Sequence, residues 1–172
     1  MVKFSEIGNF NAAKNYPGMA FSSGAANWSL CVADHAARTA ALPDAAAAKG
    51  KGLCIVMQDW GDYIGDRYFG PENQEGALIP AGDKVLLVGI DSLAGRFLDI
   101  DAQHIDYSGA FSAAVAPGVF LVAGTDGRFA VESDVSAYET YFLVTEVFPW
   151  PLAKPLADSP GSARAQVVLQ TV

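Results

Sequence analysis

Hydrophobic and polar residues alternate with a period of two over much of the second half of the chain. In the stretch 141–148, Tyr141, Leu143 and Val147 fall on one face of a strand, and Phe142 begins the opposite face. Runs of the same kind predict eight strands, at 28–33, 53–58, 84–90, 96–100, 119–123, 128–132, 141–148 and 163–171. Short strands at this spacing are typical of a small antiparallel β-barrel or sandwich, so we predict a mainly β fold.

Residues 1–28 differ from the rest of the chain because turn-forming residues interrupt every apolar run, as in Tyr16-Pro17-Gly18. Such a segment cannot bury a continuous face by itself, so it is either a flexible tail or an arm whose aromatic residues anchor on a neighbouring subunit or on its own barrel. We therefore predict an extended N-terminal arm over 1–28, followed by a single β-rich domain over 29–172. The arm carries four isolated aromatic residues that we expect to contact another subunit: Phe4, Phe10, Tyr16 and Phe21.

The alanine-rich stretch 34–48 carries the clearest helical signal. Asp34 is placed to cap a short helix over 36–42, and Asp44 is placed to cap a further turn over 45–48. We predict one short helix within this stretch.

Two stretches, 80–97 and 117–129, share one pattern. Each has an opening turn with proline and glycine, a β-branched run, a turn built on aspartate and glycine, and a returning strand that begins with Arg-Phe. Asp126-Gly127 is the strongest short hairpin signal in the chain. We interpret both stretches as β-hairpins rather than as an internal duplication.

The composition changes this picture in two respects. Hydrophobic residues make up 51% of the 172 residues, which is enough for one domain with a core that needs neither metals nor disulfides. Only 17% of residues are charged, against about 25% in typical soluble domains. A surface poor in charge favours coverage by a partner, although abundant alanine explains the same figure.

The net charge of −8 argues against nucleic acid as a partner. The eleven lysines and arginines of the chain are scattered, and they form no patch that could follow a phosphate backbone. Residues 1–10 lack the basic and apolar regions of a secretion signal, and no apolar stretch approaches the roughly 20 residues that span a bilayer. We expect synthesis in the host cytoplasm and no membrane partner.

Both cysteines, Cys31 and Cys54, lie within apolar runs. The default interpretation is two buried free thiols that behave as small hydrophobic residues. A disulfide is the alternative, which a reducing cytosol disfavours.

The most prominent polar cluster is the stretch 99–106, with Asp99, Asp101, His104 and Asp106. Asp99 and Asp101 would share one face of a strand, and oxygen ligands grouped in this way can hold a divalent cation. The spacing does not fit an EF-hand loop, which needs a glycine at its sixth position and a closing glutamate. We favour a solvated acidic strand that protects a sheet edge, and we predict no metal or other cofactor.

An aromatic and acidic loop occupies residues 59–76. Carboxylates among aromatic rings are typical of carbohydrate sites, but here they share one continuous loop, so we favour rings that fold the loop against the domain. The residues concerned are Asp59, Trp60, Asp62, Tyr63, Asp66, Tyr68, Phe69 and Glu72. Elsewhere the chain has no Gly-x-Ser-x-Gly elbow, no Walker spacing and no Cys-x-x-Cys pair, so we predict no enzymatic activity.

Residues 148–151, Phe148-Pro149-Trp150-Pro151, place one tryptophan between two prolines that end the preceding strand. A stiff segment that displays an aromatic side chain loses little entropy on docking, so Phe148 and Trp150 join the candidate interface residues. The alternative is that Trp150 covers one open end of its own barrel.

Three elements within the stretch 79–147 occur together with the long strand at 141–148. They are Ile79-Pro80-Ala81-Gly82-Asp83-Lys84-Val85, Pro117-Gly118-Val119-Phe120-Leu121-Val122 and Gly124-Thr125-Asp126-Gly127-Arg128-Phe129. In this combination the chain resembles auxiliary structural proteins of tailed bacteriophages, in particular the capsid decoration (cement) class. The resemblance implies a small virion barrel that binds the outer surface of the capsid lattice, often as a trimer, and reinforces it without catalysis.

Taken with the arm, the low charge and the lack of a catalytic motif, the resemblance predicts a capsid decoration protein on the virion surface. Its expected partners are the major capsid protein and further copies of the chain in a homotrimer. The alternative is a small-molecule or carbohydrate-binding β-barrel that uses the aromatic loop 59–76. The third possibility, an enzyme with few titratable catalytic residues, is not favoured by any motif.

Overall fold

A computed structural model of the chain describes residues 2–4, 15–26, 28–57, 78–148 and 163–171. These residues fold mainly as β-structure, as the sequence predicts. The strands are β1 Val2–Phe4, β2 Asn15–Phe21, β3 Ala25–Ala26, β4 Leu30–Asp34, β5 Thr39–Ala41, β6 Leu53–Met57, β7 Leu78–Ile79, β8 Lys84–Gly89, β9 Phe97–Asp101, β10 Ile105–Asp106, β11 Phe120–Ala123, β12 Phe129–Glu132, β13 Thr140–Phe148 and β14 Arg164–Thr171. The helix α1 spans Phe111–Ala114, and 3-10 turns occupy Ala47–Lys49, Ile90–Leu93 and Ala102–His104.

Five strands close into a barrel in the order β2-β5-β4-β6-β8. All neighbouring pairs are antiparallel except β2 with β5, and β8 closes the barrel by pairing with β2. Every strand sends side chains into the interior, where they form one apolar cluster. Its buried members are Met19, Phe21, Ala25, Cys31, Ala40, Cys54, Val56, Ile79, Val85 and Leu87.

Seven of the other strands form a curled sheet in the order β1-β9-β14-β13-β11-β12-β10. The short strands β3 and β7 pair with each other in a separate two-stranded sheet. One face of the seven-stranded sheet packs on the outside of the barrel strands β4, β6 and β8, which makes a second and larger core. From the barrel come Leu30, Leu53, Ile55 and Val88, and from the sheet come Leu98, Ile100, Leu121, Phe129, Phe142, Val144, Ala165 and Val167. The strands β4 and β6 are therefore apolar on both faces, which explains their near-continuous hydrophobic sequences.

The strands predicted from alternation all occur, with ends that shift by one or two residues in the described parts. The alternation of β13 is broken once. A bulge between Val144 and Glu146 shifts the register with β14, so Val147 packs against the core, on the side of Phe142 rather than that of Tyr141. An extra residue reverses the face of every residue beyond it.

The prediction of a hairpin holds for 117–129 and fails for 80–97. In the second stretch β11 pairs with β12. In the first, β8 pairs with barrel strands and β9 pairs with β1 and β14, so the two strands belong to different sheets. The 3-10 turn Ile90–Leu93 buries Ile90 and Leu93 and carries the chain from the barrel to the large sheet.

The predicted helix over 36–42 is wrong. Residues 35–38 form a turn, and Thr39–Ala41 form β5, which hydrogen-bonds to both β2 and β4. Two rows of sheet hydrogen bonds outweigh the modest helix propensity of a few alanines. Asp44 does cap the next turn, since its Oδ1 accepts hydrogen bonds from the backbone N–H groups of Ala46 and Ala47 at 3.0 and 2.8 Å.

Residues 15–21 form the barrel strand β2, and residues 25–26 form β3, which pairs with β7, so an extended arm over 1–28 does not describe them. Proline and glycine are accommodated because β2 has a bulge between Tyr16 and Met19, where Gly18 adopts a φ of 70°. Val2–Phe4 pair with β9 at the edge of the large sheet. Contact of residues 1–28 with another subunit stays a prediction.

Candidate functional site

The acidic stretch that includes Asp99 and Asp106 is divided among three environments by the fold. Asp99 and Asp101 lie on the outer face of β9, while His104 ends a 3-10 turn and Asp106 ends β10. Among the residues that the structure describes, no group of three or more His, Cys, Asp or Glu side chains could hold a metal ion. Asp99, His104 and Asp106 each make local contacts instead.

Asp99 takes part in a polar row that crosses neighbouring strands. Its Oδ1 accepts a hydrogen bond of 3.3 Å from Nε2 of Gln166, which lies directly opposite on β14. Gln166 in turn lies opposite Glu146 on β13. The three side chains form a polar row on the outer face of the sheet. The prediction of an acidic strand that protects a sheet edge is wrong for Asp99 and Asp101, because β9 pairs with β1 on one side and β14 on the other.

His104 is buried, with 6% of its surface exposed. Burial lowers the pKa of its imidazole to about 4, because the protonated ring would lose hydration. The ring is therefore neutral near pH 7. Its Nε2 lies 3.5 Å from Nε2 of Gln103, so the geometry supports a structural histidine rather than a base positioned by a carboxylate.

Asp106 belongs to an ion-pair group at the β11–β12 hairpin. The Arg128 guanidinium lies 3.3 Å from the Asp106 carboxylate and 2.7 Å from that of Asp126. Partial burial raises the pKa of Asp126, but the hydrogen bonds from Arg128 outweigh it and leave that pKa below its ordinary value. These groups are about half exposed, so the contacts orient the hairpin and contribute little to stability.

An open cleft of about 600 Å³ lies beside this hairpin. It is lined by Asp106, Tyr107, Ser108, Gly109, Ala110, Ala113, Ala114 and Val131. Tyr107 packs edge-on against Phe111 at 5.1 Å and so fixes α1 at the rim. Among the described lining residues Asp106 supplies the one carboxylate, and Tyr107 is the other titratable side chain.

The predicted interface residues fall into different environments. Phe21 is fully buried in the barrel, so it is a core residue of this chain rather than an exposed contact. Tyr16 is half-buried, with its ring 4.5 Å from that of His35. Phe4 lies in β1, and Phe148 ends β13 half-buried. Phe10, Trp150 and the aromatic loop 59–76 lie outside the described residues.

The outer face of the seven-stranded sheet carries an apolar row that the sequence analysis missed. Phe97, Val168, Leu143 and Phe120 are consecutive register partners across β9, β14, β13 and β11; we call them the outer apolar row. Phe97 is 36% exposed and the other three are partly exposed. Each is separated in sequence from the others, so the row becomes visible only when strand order and register are known.

The outer apolar row has polar neighbours on the same face. Tyr141 packs edge-on against Phe120 at 5.5 Å. The polar row of Asp99, Gln166 and Glu146 runs parallel to it, and Glu132 lies opposite Phe120 at the end toward β12. The face therefore combines an apolar centre with a polar border, an arrangement that is typical of protein contact surfaces.

Within the described ranges, no helix has both the length and the apolar character to cross a membrane. Comparison with known proteins gives no relative: neither a protein-family model, nor a curated protein, nor a solved structure matches the chain at a significant level.

Proposed function

We propose that the chain is a non-enzymatic structural protein of a virus particle, a capsid decoration (cement) protein that binds and stabilises the assembled capsid lattice. In this proposal it acts as a homotrimer on the outer surface of the capsid, with the major capsid protein as its partner. The resemblance of the stretch 79–147 to such proteins is the sequence basis of the proposal.

The observation that carries the proposal is the outer apolar row. The inner face of the same sheet is anchored on the barrel by a continuous core, so the outer face is held in a fixed shape. A preformed surface loses little conformational entropy on docking. The net charge of −8 favours an apolar capsid surface that is surrounded by lysine or arginine side chains.

The shifted pKa values also have structural explanations in separate places. Those of Cys31 and Cys54 are raised in the barrel core, that of His104 is lowered by burial, and that of Asp126 is lowered at the hairpin. In active sites such groups converge on one cleft. Their separation among the described residues supports a structural role over a catalytic one.

The first test asks whether the chain belongs to a particle. Particles of the virus whose genome carries this gene should contain the chain at a fixed ratio to the major capsid protein, measured by quantitative mass spectrometry of purified particles. Particles produced without the gene should bind the purified chain again and withstand heat or low ionic strength better once they have done so. A chain absent from purified particles would contradict the proposal.

The second test addresses the surface. Phe97→Glu places a charge in the outer apolar row and should weaken binding to undecorated particles by about 30-fold or more, corresponding to about 2 kcal/mol. Ala37→Glu adds the same charge at an exposed turn of the barrel and should bind as the natural chain does. Equal binding by the two variants, with the chain still on the particle, would reject this surface and leave the function standing.

A further inference from the structure

The two cysteines of the chain lie directly opposite each other inside the barrel. Cys31 on β4 is the register partner of Cys54 on β6 in an antiparallel pair. Both side chains belong to the interior cluster of the barrel, and both are free thiols. Residues that are opposite in an antiparallel pair point to the same face, so the two sulfur atoms face the same interior.

The hydrogen bonds next to the pair define its spacing. Val56 donates its N–H to the carbonyl of Ser29 at 2.9 Å, whereas the N–H of Leu30 is directed away from β6, to the carbonyl of Gly127. Ser29 and Val56 therefore occupy a hydrogen-bonding position between β4 and β6. Pairs of this type recur every second residue, so Cys31 and Cys54 form the next one. The Cα atoms of such pairs lie about 5.5 Å apart, within the range of about 4.4–6.8 Å that a disulfide spans. Their Cβ atoms lie at the wide end of about 4.5–5.5 Å, beyond the spacing of about 3.5–4.5 Å in a disulfide, so the bond closes only when β4 and β6 move closer together.

We propose that Cys31 and Cys54 are a latent disulfide site, which a small disulfide oxidant such as oxidised glutathione closes between β4 and β6. One cysteine attacks the oxidant as a thiolate, forms a mixed disulfide and releases one molecule of reduced glutathione. The second cysteine then attacks the mixed disulfide and releases another. The two protein thiols lose two electrons and two protons, and the oxidant becomes two thiols.

Burial controls when this reaction occurs. Cys31 is fully buried and Cys54 is 2% exposed. Burial raises the pKa of the Cys31 thiol, and it raises that of Cys54 to about 11, so little reactive thiolate exists in the closed barrel. Oxidation therefore takes place while the chain folds or when the barrel opens, and the folded reduced protein reacts slowly.

The disulfide would join two central barrel strands across the segment 32–53. That segment contains β5 and the 3-10 turn Ala47–Lys49, so the bond restricts a long stretch of the unfolded chain. Strain from drawing the two strands together offsets part of this gain, so we expect a rise in melting temperature of about 5 °C or less. The inference holds whether or not the chain is a virion protein, because it depends on the barrel alone.

The test uses the full-length protein, refolded from urea in buffer that contains oxidised glutathione. The expected product is a single covalent chain about 2 Da lighter than the reduced one, without titratable thiols, and with a linked peptide pair that contains residues 31 and 54. Its higher melting temperature should return to the original value on reduction. Glutathione adducts on both cysteines, intermolecular dimers or two remaining thiols would overturn the proposal.

Two comparisons make the result specific. Cys31→Ala and Cys54→Ala should each keep one thiol or one glutathione adduct, and neither should gain thermal stability in the oxidant. The folded reduced protein should oxidise at least about tenfold more slowly in buffer than in moderate urea, where the barrel opens more often. Equal oxidation rates in buffer and in urea would show that burial does not control the reaction.

Discussion

The backbone N–H of Leu30 donates a hydrogen bond of 2.7 Å to the carbonyl of Gly127, and this contact joins the barrel to the hairpin of the large sheet. β5 pairs with β4 only as far as Val32. At Leu30 the neighbour of β4 is no longer β5 but the tip of the β11–β12 hairpin. The two sheets are thus connected by backbone as well as by the apolar core between them.

Gly127 is required at this contact for two reasons. Its φ is 82°, and a Cβ there would lie 2.7 Å from Cδ2 of Leu42 and 3.1 Å from the carbonyl of Leu30. Gly127→Ala should therefore lower the free energy of unfolding by roughly 2–4 kcal/mol, from backbone strain and crowding together. Gly109→Ala is the matched control, since its φ is 80° and nothing lies within 4 Å of the added carbon. Gly109→Ala should lower the free energy of unfolding by only about 1 kcal/mol. Equal losses for the two variants in urea denaturation would show that crowding at Gly127 contributes nothing.

His104 should make stability depend on pH. Its pKa in the folded chain is about 4, against 6.5 for an unperturbed histidine, so the unfolded chain binds more protons between these values. The contribution of the neutral ring is complete above pH 6.5 and is lost as pH falls toward 4. Between pH 7 and pH 5 the free energy of unfolding should drop by about 2 kcal/mol through this residue. His104→Gln should remove that part of the slope in urea titrations, and an unchanged slope would contradict the assignment.

Two threonines of β13 should respond in opposite directions to the same change. Thr140 is fully buried, and its Oγ1 has no hydrogen-bond partner among the described residues, so Thr140→Val should raise the free energy of unfolding by about 1 kcal/mol. Thr145 donates from Oγ1 to the carbonyl of Gln166 at 3.1 Å, so Thr145→Val should lower it by about 1 kcal/mol. Both are measured by chemical denaturation, and a shift of the same sign in both variants would refute the distinction.

Phe21 should behave as a core residue. It is fully buried among Met19, Val85 and other members of the barrel cluster, so Phe21→Ala should cost roughly 3–5 kcal/mol of folding free energy. Phe120→Ala, on the partly exposed outer face, should cost clearly less. A Phe21→Ala variant that keeps its stability but fails to assemble would restore Phe21 as an interface residue.

Local signals in the sequence determined the strands and two of the turns. Period-two alternation located β13 and β14 to within one residue at their described ends. In a half-buried strand, apolar residues that face the core alternate with polar residues that face solvent. Asp126-Gly127 marked a true hairpin, and Asp44 marked a true cap. Each of these features depends on residues a few positions apart, so the sequence contains all that is needed to predict them.

Tertiary structure decided which strands became neighbours. β5 forms where alanines favoured a helix because β2 and β4 offer it hydrogen bonds on both sides, and β8 and β9 separate into two sheets although their sequence resembles a hairpin. The outer apolar row and the facing cysteines are likewise products of strand order and register, which bring residues such as Phe97 and Val168 together from distant parts of the chain. Register depends on the packing of both cores at once, and no local pattern specifies it.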